Sequence, residues 1–300
     1  MHILITGASG MLGRRIARQL CNSGHTVAAL SRSPVKDLSF TASFQWDPDQ
    51  GVMDAHAFEG VDAVVHLAGA GIADRRWTTR RKEELLTSRV RSTAFLKEQL
   101  EKVPNRIHAV IAASAVGYYG DTGSRLITEA DASGQGFLAE TCLKWEAALQ
   151  SLGNDQRRLV IFRIGFVIDR SDGALPVMAR PVRFFAGAPY GDGQQYISWI
   201  DSVDLTRLFD YAVVNSEMRG VFNAVAPGVV TNEVFIRTVA GVLHRPVWPI
   251  GIPAWLLKVL LGEQSALVLD GQRVSADKVG ASGFAFDFPD LTSSLEHHLN

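Results

Sequence analysis

The sequence has few cysteines, almost no net charge and no long uninterrupted apolar run. Its two cysteines, Cys21 and Cys142, cannot form a disulfide framework or a four-thiolate zinc site, so we expect a reducing compartment, the cytoplasm. Since no stretch of about twenty uncharged apolar residues is present, no membrane association is predicted. The net charge of −1, from 30 basic and 31 acidic residues, argues against a nucleic-acid partner. The eight histidines have no metal-ligand spacing, and no metal site is predicted.

Apolar strand-like runs alternate with helical patterns through the first half of the chain. Strands are predicted at 1–5, 26–30, 44–46, 61–69, 108–117 and 158–168, with helices at 12–21, 79–99 and 137–152. Repeated units of this kind indicate an α/β fold with a doubly wound parallel sheet over residues 1–168. Residues 169–300 are expected to form mostly a small C-terminal α+β lobe, with some segments returning to the sheet. The apolar stretch 247–262 predicts a core-packing helix behind a proline-rich turn.

The stretch TGASGMLG places three glycines between the first strand and the first helix. Gly7 would permit the tight turn, Gly10 would let the backbone approach a pyrophosphate, and Gly13 would allow close packing of helix and strand. The helix N-terminus adds free N–H groups and the positive end of its dipole. A tight turn without ligand is the alternative. The predicted dinucleotide cradle consists of Gly7, Ser9, Gly10, Met11, Leu12 and Gly13.

The end of the second strand, LSRSP, indicates which dinucleotide is bound. An acidic residue at this place would bind the ribose 2′-hydroxyl of NAD. Here Arg32 stands between Ser31 and Ser33, and a guanidinium suits a 2′-phosphate because it forms charge-assisted hydrogen bonds. We therefore predict that NADP is preferred over NAD. An incidental exposed arginine is the alternative.

Several stretches together resemble the extended short-chain dehydrogenases/reductases. They include TGASGMLG, HLAGAGIADRRWTTRRKEELLTSR, SAVGYYGD, FLAETCLKWEAAL, GDGQQYISWIDSVDL, LHRPVWPIGIPAW and GFAFDFPDL. The closer resemblance is to atypical epimerase-family proteins of the SulA/YfcH kind, which are similar to NAD-dependent epimerases/dehydratases. It implies a Rossmann domain, a small substrate lobe, NADP, a small-molecule substrate and a homodimer. It also places Leu67, Ala68 and Gly69 along the adenosine and nicotinamide ribose, and Ser114 at the reacting carbonyl.

The chain departs from this family at the usual tyrosine and the lysine four residues later. Alignment on Glu146 puts Leu138 and Cys142 at those positions, and neither side chain can perform the expected proton transfer. Cys142 is also consistent with a small buried hydrophobe, and Glu146 with a helix anchor. Lys144 lies two positions from the lysine site and should point elsewhere.

Three interpretations of the reaction centre remain open. In the first, Tyr118 or Tyr119 of the GYYG turn supplies the proton, Ser114 polarises the carbonyl, and hydride is exchanged at nicotinamide C4. In the second, Cys142, Lys144 or Glu146 acts. In the third, the protein is a catalytically degenerate sensor of NADP(H). The first predicts an NADP-dependent oxidoreductase or epimerase-like enzyme for an unknown small polar substrate. Its pocket is expected to be lined by Gln194, Gln195, Tyr196, Trp199 and Asp201, although Asp201 and Asp204 could equally cap a helix.

Overall fold

The fold is built on a large sheet within residues 1–299, which the computed structural model describes. The strands are β1 (His2–Thr6), β2 (Thr26–Ser31), β3 (Ala42–Asp47), β4 (Val52–Met53), β5 (Ala63–His66), β6 (Ala109–Ala115), β7 (Leu126–Ile127), β8 (Arg158–Ile164), β9 (Phe166–Ile168), β10 (Tyr196–Ile197), β11 (Trp199–Asp201), β12 (Gly220–Ala224), β13 (Val230–Thr231) and β14 (Arg273–Val274). The helices are α1 (Met11–Asn22), α2 (Thr79–Lys102), α3 (Phe137–Gln150), α4 (Ala174–Arg183), α5 (Ser202–Val214), α6 (Asn232–Val242), α7 (Ala254–Leu261), α8 (Ala266–Leu269), α9 (Asp277–Ala281) and α10 (Leu291–Leu299). None of the helices in this range is long and apolar enough to cross a membrane.

The main sheet has the order β12-β8-β6-β5-β1-β2-β3-β4. Its strands pair in parallel except for the short β4, which is antiparallel to β3. The strand order reverses at β1, which lies between β2 and β5. In sheets of this kind the crevice at the carboxyl ends of the strands, at the reversal point, is where ligands bind. The predicted doubly wound Rossmann fold is therefore confirmed, and the glycine turn after β1 lies at this crevice.

Helices cover both faces of the sheet because the strands are apolar on both sides. On one face, Ile3 and Ile5 of β1 pack with residues of α1 and α5. On the other, Leu4 packs in the same core as Phe95 of α2 and Trp145 of α3. The helix α5 and the strand β12 follow residue 168 in the chain yet belong to this sheet and its covering layer.

The strand predicted over 158–168 is two strands, and the prediction of a single one is wrong. β8 lies between β6 and β12 in the main sheet, whereas β9 pairs with β11 in the lobe. The break falls at Gly165, where a Cβ would collide with the carbonyl oxygen of Ser198. The chain thus leaves the main sheet at Gly165, where the backbone of Ser198 passes close to it.

The C-terminal lobe has its own core around Trp199, Phe235 and Leu295. Val247 packs against this core, but the core-packing helix predicted within 247–262 is wrong, because α7 buries little more than Leu257. Trp255 and Val259 are each 67% exposed. Apart from Lys258 the short helix is apolar, so its sequence has no continuous polar face that would indicate which side meets solvent.

Candidate functional site

Two glycines of the turn after β1 are required by the protein's own backbone. Gly7 has a φ of 68°, and a Cβ on it would lie 2.8 Å from the carbonyl oxygen of Leu67. A Cβ on Gly13 would lie 2.5 Å from the carbonyl oxygen of Gly7 and 2.8 Å from Ala8 Cα. The turn is therefore pressed against the end of β5 on one side and against the start of α1 on the other.

Gly10 differs from both, because neither its conformation nor its neighbours require glycine. Its φ of −73° and ψ of 166° suit any residue, and the nearest atom to a Cβ there is the carbonyl oxygen of Gly7, at 3.4 Å. Gly10 is also the N-cap of α1 and provides no side-chain cap. The first helical hydrogen bond runs from Arg14 N to Gly10 O, so the N–H groups of Met11, Leu12 and Gly13 precede the helical ladder. Open space above unpaired N–H groups is what a phosphate group needs.

The residues after β2 lie beside this turn, since β2 is the parallel neighbour of β1. The Ser31 hydroxyl donates to the carbonyl oxygen of Ser33 at 2.5 Å, which fixes the turn that carries Arg32. Arg32 and Ser33 are exposed, and Ser31 is buried. Within residues 1–299, Arg32 forms no ion pair, so its guanidinium is available to a ligand at this end of the crevice.

The loop Leu67–Gly69 is held by a buried chain of hydrogen bonds. Thr6 Oγ1 accepts from the backbone N–H groups of Leu67 and Ala68 at 3.1 and 3.2 Å, so its own proton is donated to His66 Nδ1, 2.8 Å away. His66 Nε2 then donates to Thr93 Oγ1 at 3.1 Å. Burial lowers the pKa of His66 to about 4. His66 is therefore a neutral core residue, as predicted, and it fixes the loop that the resemblance assigns to the cofactor ribose.

Ser114 belongs to a buried polar network at the end of β6. Its hydroxyl donates to Glu146 Oε1 at 2.6 Å, and Arg163 pairs with both oxygens of Glu146 at 2.9 and 2.8 Å. Arg163 Nη1 donates to the Tyr119 hydroxyl at 2.8 Å, and that hydroxyl donates to Asn223 Oδ1 at 2.7 Å. All five side chains are buried. The Ser114 proton is thus directed at Glu146, which joins α3 to the sheet.

The two tyrosines of the GYYG turn have different environments. Tyr119 is 3% exposed, its hydroxyl is bonded on both sides, and burial raises its pKa to about 12. Tyr118 is half-buried, with the Arg163 guanidinium 3.5 Å from its ring centroid. In the described part of the chain, the Tyr118 hydroxyl forms no hydrogen bond. Tyr118 therefore has the hydroxyl that these residues leave without a partner, and it stays a candidate for substrate contact.

The positions of the usual tyrosine and lysine carry no acid or cation. Leu138 packs on the GYYG turn, its Cβ 3.4 Å from a Cβ built on Gly117. Cys142 is 5% exposed, and burial, aided by the Glu146 charge, raises its pKa to about 11. Its thiol therefore stays protonated, and nucleophilic chemistry at Cys142 is disfavoured. Lys144 is exposed and points elsewhere, as predicted.

The lobe segment predicted to line a pocket is partly structural. Trp199 is fully buried and donates from Nε1 to the carbonyl oxygen of Gly228 at 2.6 Å. Asp201 caps α5 by accepting from Val203 N at 2.7 Å, so for this residue the capping alternative is correct. Gln195 donates to the carbonyl oxygens of Tyr190 and Val268. Gln194 is exposed and Tyr196 half-buried, so these two stay candidates for substrate contact.

A polar cavity of about 620 Å³ adjoins Tyr119. It lies between the loop that follows the GYYG turn and the lobe residue Asp270. Burial raises the pKa of Asp270, and the nearby Asp121 raises it further. The residues that line the cavity are Tyr119, Asp121, Thr122, Arg125, Asp131, Ala132, Ser133, Gly134, Gln135 and Asp270. The cavity is large enough for a small polar molecule.

Sequence reasoning missed Arg163 and Asn223, which complete the network around Glu146. A signal for Arg163 was present, because the run RLVIFRIG places a charge inside a buried parallel strand. A buried charge requires a partner of opposite sign, and Glu146 is that partner. Asn223 lies in the edge strand β12, and no polar pattern in the sequence of that strand indicates its partner.

A model of the NAD dependent epimerase/dehydratase family matches residues 3–140, and a domain of unknown function, DUF1731, matches residues 252–298. Epimerase family protein YfhF of Bacillus subtilis is 35% identical over 98% of this chain and 97% of its own. The chain belongs to the epimerase family. This branch of the extended short-chain dehydrogenases/reductases is atypical, and the resemblance found in the sequence is confirmed.

Other members of the epimerase family match along nearly the whole chain. The chloroplastic SDR39U1 homolog of Arabidopsis thaliana is 34% identical over 98% of this chain and 86% of its own. The crystal structure of human epimerase family protein SDR39U1 with NADPH superposes with a TM-score of 0.88 at 31% identity, covering 99% of this chain and 98% of that one. A nucleoside-diphosphate sugar epimerase from Corynebacterium glutamicum gives 0.79 at 29% identity, covering 100% of this chain and 58% of that one.

Proposed function

We propose that this epimerase-family protein binds NADPH in the crevice at the carboxyl ends of β1, β2 and β5. The observation that carries the proposal is Gly10, which the protein's own packing and backbone leave unexplained. A diphosphate above Gly10 would accept hydrogen bonds from the free N–H groups at the start of α1. The presence of NADPH in the human relative's structure supports the same cofactor.

The bound cofactor would extend from Arg32 at one end to Tyr118 at the other. Arg32 would hold the 2′-phosphate, and the loop Leu67–Gly69 would contact the ribose beyond the diphosphate. The nicotinamide would then lie near the GYYG turn. We propose an oxidoreductase or epimerase-like activity on a small polar substrate. Bound NADPH would supply hydride to a carbonyl carbon of the substrate, and the Tyr118 hydroxyl would donate its proton to the carbonyl oxygen and regain one from solvent.

Replacing Tyr118 with phenylalanine tests the proposed proton donor. NADPH oxidation is followed with a panel of aldehydes, ketones and nucleotide sugars, first for the wild-type protein. With a substrate that is turned over, Tyr118→Phe is expected to lower kcat by roughly 10²- to 10⁴-fold, since general acid catalysis contributes that much. NADPH affinity should not change. Arg91→Ala, at an exposed arginine of α2, is the matched control and should leave both quantities unchanged. Full activity of Tyr118→Phe would show that another group supplies the proton.

A sensor of NADP(H) without turnover is the second candidate. It is favoured by the protonated Cys142 thiol and the apolar Leu138 at the usual catalytic positions, and by the engagement of the Ser114 proton with Glu146. Tight NADPH binding by the wild-type protein, with no oxidation by any substrate of the panel, would support this candidate over the enzyme.

Replacing Arg32 with alanine tests the preference for NADP. The variant is expected to bind NADPH roughly 10- to 100-fold more weakly, because hydrogen bonds to a charged group contribute about 1.5–3 kcal/mol. Affinity for NADH, which has no 2′-phosphate, should change less than about threefold. Calorimetric titration with both cofactors measures the two effects, and Arg91→Ala again serves as the control. Equal losses for the two cofactors would refute a role in binding the 2′-phosphate.

A further inference from the structure

An arginine of α2 lies across the loop that follows β5. A Cβ on Gly69 would lie 3.1 Å from Arg89 Cγ and 3.2 Å from Arg89 Cζ, so the arginine side chain rests directly on this glycine. Its guanidinium lies 5.0 Å from the ring centroid of Trp145 on α3. Arg89 Nη1 donates to the carbonyl oxygen of Leu85 at 2.9 Å, which fixes the direction of the head group. The guanidinium is thereby held between the loop and α3.

Arg89 has no counter-charge in this place. Across residues 1–299, no carboxylate lies within ion-pair distance of it, whereas Arg81 on the same helix pairs with Glu84 at 2.9 Å. Burial lowers the pKa of Arg89, and the nearby Arg81 lowers it further. The thiol of Cys142 is close enough to act electrostatically on it, but that thiol is protonated. A partly buried guanidinium with one N–H group in use keeps several donors for a ligand.

The position of this cation relates it to the bound cofactor. Gly69 continues the loop whose first residue, Leu67, is in contact with Gly7 of the glycine turn. Cys142 is the residue that stands where a lysine of α3 would be expected. Arg89 therefore reaches from α2 into the region where α3 has no cation at position 142.

We propose that Arg89 binds the nicotinamide-side ribose of NADPH and supplies from α2 the positive charge that is absent at Cys142. This inference rests on the proposed NADPH binding. Arg89 would be a binding and positioning residue, since its donors would fix the ribose hydroxyls and hence the face of the nicotinamide that meets Tyr118.

A comparison of two ligands tests this assignment. NADPH contains both halves of the cofactor, whereas adenosine 2′,5′-bisphosphate has no nicotinamide ribose. Arg89→Met keeps most of the aliphatic stem on Gly69 and Trp145 but removes the charge. It is expected to weaken NADPH binding roughly 10- to 100-fold and to change binding of the bisphosphate less than about twofold. Arg32→Ala, at the other end of the crevice, should weaken both ligands.

The conservative variant separates charge from packing. Arg89→Lys is expected to recover most of the affinity for NADPH that Arg89→Met loses. Thermal unfolding is measured for each variant, and Arg89→Gln replaces Arg89→Met if the latter does not fold. The inference would be overturned if Arg89→Lys and Arg89→Met lost the same affinity for NADPH. It would also be overturned if Arg89→Met weakened NADPH and the bisphosphate equally.

The wild-type titration distinguishes failure of this inference from failure of the proposed function. A wild-type protein that binds neither ligand would contradict NADPH binding itself, and the assignment of Arg89 with it. If the wild-type protein binds both ligands and Arg89→Met binds each of them equally well, only the role of Arg89 would be contradicted.

Discussion

Replacing Gly10 with valine is expected to abolish NADPH binding while the protein stays folded. The backbone at Gly10 is extended, and the nearest atom to a new Cβ is 3.4 Å away, so a Cβ fits the free protein. Its branches would occupy the space that the diphosphate needs above α1. The affinity should fall at least about 100-fold, which corresponds to about 2.7 kcal/mol. The free energy of unfolding should change by less than about 1 kcal/mol.

The other glycines of the chain provide matched controls for this substitution. Gly13→Val places its side chain against the carbonyl oxygen of Gly7 and Ala8 Cα, so it should destabilise the fold by on the order of 3 kcal/mol. Gly241→Val lies on α6 with no atom within 4 Å of a Cβ, so its steric effect should be small, and it should bind NADPH normally. Calorimetric titration and thermal unfolding are measured for all three. Normal NADPH affinity in Gly10→Val would exclude the glycine turn as the diphosphate site.

The features that could be predicted from the sequence are those fixed by local patterns. The strand, glycine turn and helix at the start of the chain were predicted because the turn separates a short apolar run from a 3.6-residue periodicity. Repetition of such units was enough to predict the doubly wound sheet. Gly7 and Gly13 were assigned their steric roles because the spacing of the turn sets what each glycine must approach.

The features that could not be predicted depend on segments distant in the chain. The break between β8 and β9 arises because Ser198, more than thirty residues later, crosses Gly165. Trp199 and Asp201 were expected in a pocket, yet Asp201 is buried with Ser294 and His298 of α10. Arg89 was not singled out, because its contacts with Gly69 and Trp145 join three elements. Such contacts leave no pattern in a single segment.

Replacing Glu146 with glutamine is expected to be strongly destabilising. Glu146 and Arg163 form a buried pair with two hydrogen bonds between them, so the amide would leave the Arg163 charge without a counter-ion. Removing one partner of such a pair costs about 3–5 kcal/mol. In a chain of this size the unfolding midpoint should fall by on the order of 10 °C. Glu140→Gln, at an exposed position of the same helix, is the control and should have little effect.

A double variant separates the energy of the pair from the energy of its desolvation. Glu146→Leu combined with Arg163→Met removes both buried charges, so it should be more stable than Glu146→Gln even though the pair is lost. Hydrogen bonds at Ser114 and Tyr119 would still be missing, so full recovery of the wild-type stability is not expected. If Glu146→Gln cost less than about 1 kcal/mol, the pair would not hold α3 against the sheet.

The same double variant tests whether this network is separate from cofactor binding. Its side chains hydrogen-bond to one another beneath the GYYG turn, whereas the proposed hydrogen bonds to NADPH come from the start of α1, Arg32 and Arg89. The double variant should therefore bind NADPH with nearly wild-type affinity. Turnover should fall, because the Arg163 guanidinium lies 3.5 Å from the Tyr118 ring centroid and helps to place the proposed proton donor. Loss of NADPH binding in the folded double variant would instead show that the network positions the cofactor itself.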